Sequence, residues 1–244
     1  RQVAHYIAYS KGLTDADLGR IYRLKAKGVK PPKFGDPFSP AKLVQTALRH
    51  PNRWHRETAL RLLGDRKDPT LVPKLRAVLR EESGQPALQA LWALNLCGGF
   101  GKEVALQTLG HKNPHVRRWT VRLLGDQKEV SEQVAERLAD MAEQESDAEV
   151  RSQLAASARR LPARDGLPIL GRLVRYKEDI GDPHLPHLVW WGFEAHATEL
   201  SAILGHYEKP ESWNGVLLAD GALPQQNLMR RWALSGRQAE LEAC

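Results

Sequence analysis

His50-Pro51-Asn52-Arg53-Trp54-His55-Arg56-Glu57-Thr58-Ala59-Leu60-Arg61-Leu62-Leu63-Gly64-Asp65 returns as His111-Lys112-Asn113-Pro114-His115-Val116-Arg117-Arg118-Trp119-Thr120-Val121-Arg122-Leu123-Leu124-Gly125-Asp126. The offset is 61 residues, or two units of about 30, and periods of that size mark helical solenoids. Each copy opens on an Asn or Pro and then places Leu and small residues at helical spacing. The reading of the whole chain works outward from this pair.

Downstream of residue 38 the same grammar continues. Ser39 is an N-cap candidate with Pro40 at the first helical position. Leu43, Val44, Ala47 and Leu48 then form one apolar stripe. His50-Pro51-Asn52 breaks that helix, and a second follows over 54–64. Asp68-Pro69 starts the next pair, with Leu71, Val72, Leu75, Val78 and Leu79 on its face. Pro86 opens a helix over 87–97 so apolar that most of its circumference needs cover. Gly98-Gly99-Phe100-Gly101 ends it. Further pairs are expected at 103–109 with 115–124, 130–142 with 148–161, and 165–174 with 185–194. A less regular pair at 198–207 with 213–220 and a closing helix at 228–234 read as a cap. The expected fold is therefore all-α: a right-handed α-solenoid over 38–244, of five to six helix pairs with an irregular C-terminal end. No such pair buries its apolar face alone, and stacking supplies the missing surface.

Residues 1–37 do not fit the repeat. The run Gly19-Arg20-Ile21-Tyr22-Arg23-Leu24-Lys25-Ala26 reads as one strand, and an isolated strand needs a sheet to join. Lys30-Pro31-Pro32-Lys33-Phe34-Gly35-Asp36-Pro37 reads as a stiff linker. Together with the opening Arg1 in place of Met, this predicts the tail of an upstream domain in a processed or excised piece.

Within the units a Pro or Asp precedes the second helix, followed by Val-Arg and then small residues and leucine. Asn113-Pro114-His115-Val116-Arg117 and Asp147-Ala148-Glu149-Val150-Arg151 are the clearest cases. The pattern resembles that of HEAT repeats. Val116 and Val150 are expected to anchor the helix in the core. The Arg151 stem is expected to run between units, with its head on an upstream carboxylate or carbonyl. Asp65 and Asp126, just past the helix, are candidate inter-unit hydrogen-bond partners.

The functional signals are sparser. Net charge is +7 (36 basic minus 29 acidic residues), which does not by itself indicate nucleic acid. Arg53, Arg56, Arg61, Arg66, Arg117, Arg118 and Arg122 could line a concave face and meet phosphates. Interspersed acidic residues count against that reading. Two cysteines, Cys97 and Cys244, exclude a disulfide framework. No apolar run reaches the roughly 18–20 residues that span a bilayer. His184, His187, Glu194 and His196 cluster in sequence, but no His-Glu-x-x-His or paired Cys-x-x-Cys accompanies them. No nucleophile elbow, phosphate loop or Rossmann fingerprint occurs, so no catalytic, cofactor or metal residue is assigned.

Tryptophan is the oddity: seven Trp stand beside four Phe and five Tyr. Trp92 is core by its setting. Trp190 and Trp191 cannot both point inward, because successive helical residues differ by about 100°. Trp and Arg are favoured at interfaces. Trp54, Arg56, Arg117, Arg118, Trp190 and Trp191 are therefore the candidate interaction surface. Carbohydrate binding by exposed tryptophans is a further option.

The chain also resembles the multidomain membrane-bound dehydrogenase-like proteins of planctomycetes and verrucomicrobia. Gly19-Arg20-Ile21-Tyr22-Arg23-Leu24 is similar to the closing segment of their sorbosone-dehydrogenase-like β-propeller. The stretch from Leu43-Val44 through Leu48-Arg49 and the first copy as far as Leu63 is similar to the start of their HEAT region. Pro186-His187-Leu188-Val189-Trp190-Trp191-Gly192-Phe193-Glu194 matches a Trp-Trp and Glu stretch there. The resemblance implies an upstream β-propeller and often a downstream cytochrome c domain. It implies a parent protein that oxidises a sugar or alcohol with a PQQ-like quinone and haem c, in the periplasm or cell envelope. The cytoplasm is the alternative. Neither cofactor has a motif in this segment, whose expected role is a non-catalytic scaffold.

Overall fold

The structure is a computed structural model that describes Gly28, residues 38–207 and residues 224–243. The described helices lie in one compact unit, Pro37–Cys244. The strand expected at 19–26, the linker at 30–37 and the helix expected at 213–220 fall outside the described residues.

Thirteen α-helices are present among the described residues. They are α1 (Pro40–Gln45), α2 (Arg53–Arg66), α3 (Val72–Glu81), α4 (Gln85–Leu96), α5 (Lys102–Leu109), α6 (Pro114–Gln127) and α7 (Glu132–Gln144). After them come α8 (Ala148–Ala158), α9 (Ala163–Leu173), α10 (Leu185–His196), α11 (Leu200–Tyr207), α12 (Pro224–Ser235) and α13 (Gln238–Glu242). Even-numbered helices pack in series, α2 on α4, α4 on α6, and so on to α12. Odd-numbered helices α5, α7, α9 and α11 pack in a second series. Pairs close across the layers, as α3 does on α4, α5 on α6 and α9 on α10. That is an all-α solenoid.

The two copies of the opening stretch have the same local shape. Both give 14-residue helices, α2 and α6. Asn52 Oδ1 accepts from the Trp54 N–H and Asn113 Oδ1 from the His115 N–H, each at 2.9 Å. This satisfies one of the donors orphaned at a helix start. Lys67 and Lys128 close the two helices in the left-handed region, at φ 47° and 64°. His50 Nδ1 and His111 Nδ1 each accept the backbone N–H two residues on, at 3.0 Å. Asp147 Oδ1 caps α8 one residue further along, accepting the Val150 N–H at 3.1 Å. α4 ends on Gly98 (φ 74°), with Gly99 N–H donating to Leu94 O and Gly98 N–H to Asn95 O, the paired bonds of a Schellman stop.

Some boundaries differ from expectation. The first helix is not continuous. α1 stops at Gln45, Thr46 Oγ1 donates to Lys42 O, and Ala47–Arg49 tightens into a 3-10 turn. Ser39 does not cap with its side chain; its carbonyl accepts from Lys42 and Leu43. Asp68 starts a 3-10 turn, Pro69–Leu71, before α3. A further 3-10 turn, Lys177–Gly181, precedes α10. In the even layer, α12 is the helix that packs on α10, and Trp232 Nε1 ties it there by donating to Ala197 O at 2.8 Å.

Buried apolar side chains form two clusters that meet in α5 and α6. One runs from Leu43 to Val116 and the other from Ala105 to Trp232, with Phe100 packed against both. Val116 and Val150 are fully buried. At roughly 25 cal/mol per Å² of apolar surface, this seam is the main stabilising term between units.

Candidate interaction face

Four residues past their N-caps, α2, α6 and α8 carry Arg56, Arg117 and Arg151. Each donates its Nη1 to the carbonyl six residues back: His50 at 2.7 Å, His111 at 2.9 Å and Glu145 at 2.9 Å. Arg117 also grips Glu145 with both Nε (2.8 Å) and Nη2 (2.6 Å). Arg151 grips Asp179 with Nε (2.7 Å) and Nη2, and its guanidinium lies over the Tyr176 ring. Each carboxylate lies 28 residues downstream of its arginine. Glu145 joins the two rungs, since its side chain holds Arg117 and its carbonyl holds Arg151. Bidentate pairs of this kind fix geometry as well as charge. The hydrogen bonds they donate to Glu145 and Asp179 push the pKa values of Arg117 and Arg151 further up, so both stay charged.

Arg151 therefore reaches an upstream carbonyl, Glu145 O, as expected, while its carboxylate, Asp179, lies downstream. Among the described residues Arg56 has no carboxylate partner. Its Nη1 serves His50 O and Pro51 O, and its buried Nε is unpartnered. Glu82 stands two residues before the α4 N-cap, as Glu145 does before that of α8, but it pairs with Arg49 instead (2.7 Å). α4 and α10 carry Leu88 and Leu188 at the arginine position, so the ladder is interrupted there.

Asp126 makes the expected inter-unit bond, to Arg160. Asp65 has no partner among the described residues, because the counterpart of Arg160, 61 residues earlier, is Gly99.

The candidate surface residues therefore separate into two sets. Arg56 and Arg117 turn into the ladder, and the Arg117 side chain is 16% exposed. Trp190 is half-buried against the core, whereas Trp191 is 47% exposed and stacks on His187. Trp54 is 58% exposed and packs edge-on to Phe38. Arg118 bridges from α6 to Glu149 of α8 at 2.6 Å.

Beside Arg118 lie Arg122, another of the arginines considered for phosphate contact, and Trp119, which is not among the candidate surface residues. Trp119 meets Trp92 edge-to-face at 4.9 Å, and Arg122 stands over the Trp119 ring at 5.0 Å. Between α6 and α8 a groove of about 270 Å³ is lined by Arg118, Trp119, Arg122, Ser152, Gln153 and Ala156, with Glu149 at its edge.

The seven arginines considered for phosphate contact are mostly engaged. Arg53 pairs with Glu57, Arg66 with Phe38 O, Arg117 with Glu145, Arg118 with Glu149 and, at 3.9 Å, Arg122 with Asp126. Arg56 serves two carbonyls. Among the described residues Arg61 is the one of the seven without a partner.

Of the clustered histidines, His196 is buried on Ala158 O, while His184 and His187 are exposed. Among the described residues no group of three or more His, Cys, Asp or Glu could hold a metal ion, and no helix is long and apolar enough to cross a membrane.

Residues 40–110 match the HEAT repeats family. The chain contains a HEAT-repeat region. That match spans α1 to α5, and the HEAT-like geometry continues past it, since α6 reproduces α2 cap for cap. No curated protein and no solved structure matches the chain.

Proposed function

We propose that this HEAT-repeat region is a non-catalytic scaffold that docks other proteins on the uncovered side of its even-numbered helices. The observation that carries the reading is the contrast between the two sets of side chains. Arg117 and Arg151 are consumed in holding repeats together, while Trp54, Trp191, Arg118 and Arg122 stand on the solvent side of the even layer. Exposed Trp and Arg are the residue types that dominate interface energetics, and a rigid stack presents them at fixed spacing. A photo-crosslinking residue placed at Trp54 or Trp191 is expected to capture a defined partner. The same residue at Glu136, exposed on α7 of the odd layer, is expected to capture none. Equal capture from both layers, or from α7 alone, refutes the reading.

The finer placement, between an upstream β-propeller and a downstream cytochrome c domain in the cell envelope, rests on the resemblance of residues 19–24, 43–63 and 186–194. Haem and quinone absorption in the full-length parent protein tests it. A parent lacking both spectra ends that placement and leaves the scaffold reading intact.

A further inference from the structure

The groove between α6 and α8 has a sequence origin. Asn113 caps α6 and Asp147 caps α8, so equivalent residues lie 34 apart. The counterparts of Arg118, Trp119 and Arg122 are then Ser152, Gln153 and Ala156, which form the opposite wall. Every other full-length even helix carries tryptophan: Trp54 in α2, Trp92 in α4, Trp119 in α6, Trp190 and Trp191 in α10, Trp232 in α12. The α8 sequence, AEVRSQLAASA, has no aromatic residue. α8 is thus the even-numbered helix without an aromatic side chain, and the groove opens along it.

We infer that this groove receives a single aromatic side chain from an acidic segment of a partner protein. The inference rests on the scaffold reading and specifies its docking site. The size fits a side chain: at about 270 Å³ the groove falls below the roughly 300–1,000 Å³ of pockets that enclose a whole small ligand. An incoming ring would pack beside Trp119 as Trp92 already does, at an ordinary aromatic pair distance.

The charge around the groove selects an acidic neighbour for that ring. Glu149 is already neutralised by Arg118. Asp126 is held by Arg160 and lies 3.9 Å from Arg122. Among the described residues the Arg122 guanidinium, half-exposed at the groove wall, is held by Asp126 only at 3.9 Å, and it can form a shorter, two-pronged pair with a carboxylate supplied by the partner. The walls are preorganised, because Arg118–Glu149 and Ser157 Oγ to Val121 O (3.1 Å) tie α6 to α8, and Arg160–Asp126 ties α6 to the turn after α8.

Fluorescence anisotropy with the full chain tests this, using a labelled short peptide with one phenylalanine flanked by glutamates. Controls replace the phenylalanine with alanine, or the glutamates with lysines. The acidic phenylalanine peptide is expected to bind at least about tenfold more tightly than either control. Gln153→Trp, which fills the gap, and Arg122→Glu, at an exposed position that leaves the core untouched, are each expected to weaken it by about tenfold or more. Circular dichroism melting confirms that both variants fold.

Equal binding of the three peptides, no binding of any, or unchanged binding by both variants overturns the proposal. Self-association abolished by Gln153→Trp would assign the groove to a second copy of the chain and overturn it too. A partner captured from Trp54 or Trp191 whose binding ignores Gln153→Trp would sink this inference while leaving the scaffold reading in place.

Discussion

Replacing Arg151 with Met removes a guanidinium that is 4% exposed and strands the Asp179 carboxylate, 12% exposed, without its cation. Breaking one side of a buried ion pair costs about 3–5 kcal/mol. For a unit of this size, each kcal/mol lowers the melting temperature by about 2–4 °C, so Arg151→Met is expected to melt about 6–20 °C below the parent. The chain supplies its own control. Arg56→Met removes two bonds to carbonyls but leaves no carboxylate behind, and is expected to cost about 1.5–3 kcal/mol. A second control is the double variant Arg151→Met/Asp179→Leu. Replacing both members of a buried pair with apolar groups is often close to neutral, so the double variant is expected to recover more than half of the single-variant loss. Because each repeat touches only its neighbours, the damage is local. Hydrogen exchange is expected to quicken in α8 and α10 and to stay unchanged in α2 and α3. Urea titration of the four proteins with exchange mass spectrometry measures both quantities. Equal losses for Arg56→Met and Arg151→Met, or a double variant as unstable as Arg151→Met alone, would refute the ladder as a stabilising element.

Two further perturbations use the duplicated stretch as an internal comparison. A Cβ added at Gly64 meets Leu96 at an ordinary 3.5 Å, whereas one at Gly125 lies 2.7 Å from Ser157 Cβ; Gly64→Ala is expected to stabilise by about 0.5–1 kcal/mol and Gly125→Ala to destabilise by about 1–3 kcal/mol, read as opposite shifts in urea midpoint. Burial holds the His111 pKa below its ordinary value near 6.5, and its Nδ1 is occupied as acceptor of the Asn113 N–H. The unfolded chain therefore takes up a proton near pH 6.5 before the folded chain does, and stability falls as pH drops through that window. The urea midpoint of the parent is expected to fall more between about pH 7.5 and pH 5.5 than that of His111→Asn; parallel falls would show that this imidazole is not the group responsible. Burial also pushes the Cys97 thiol up, and its Sγ lies 3.4 Å from Leu63 O. Alkylation of Cys97 by iodoacetamide is expected only after urea unfolding, and labelling of the folded chain at that residue would contradict the buried placement.

The helices were legible because their signals are local. Asn52 and Asn113 cap within two residues of themselves, and the apolar stripes of α3 and α7 lie within single elements. The 100° argument about Trp190 and Trp191 needed only helix geometry, and one ring is packed while the other is 47% exposed. What stayed hidden depends on a neighbouring repeat. Glu145 and Asp179 look like ordinary loop carboxylates until the 28-residue spacing to Arg117 and Arg151 is seen twice. Asp65 and Asp126 are identical in local sequence, yet only Asp126 has an arginine opposite, because Gly99 occupies the other slot. The first helix was over-extended because an unbroken stripe from Leu43 to Leu48 fits an α-helix and a 3-10 turn alike. The groove was least visible of all, since it arises from what α8 lacks and emerges only when α8 is aligned on α6 at 34 residues.

The ladder and the groove belong to the same helices, and that coincidence has a physical consequence. In a solenoid, small rotations between units set the shape of the exposed face. Apolar packing alone constrains such rotations weakly, because dispersion contacts are non-directional. A bidentate guanidinium–carboxylate pair constrains them strongly, since two parallel bonds fix an angle as well as a distance. The complete rungs, Arg117–Glu145 and Arg151–Asp179, fall on α6 and α8 and on the loops beside them. α4 and α10 have leucine at that position, and α2 has an arginine without a carboxylate. The most rigidly specified stretch of the even layer is therefore the one whose walls form the groove. A groove that must accept a single side chain gains from such rigidity, because less ordering entropy remains to be lost on binding.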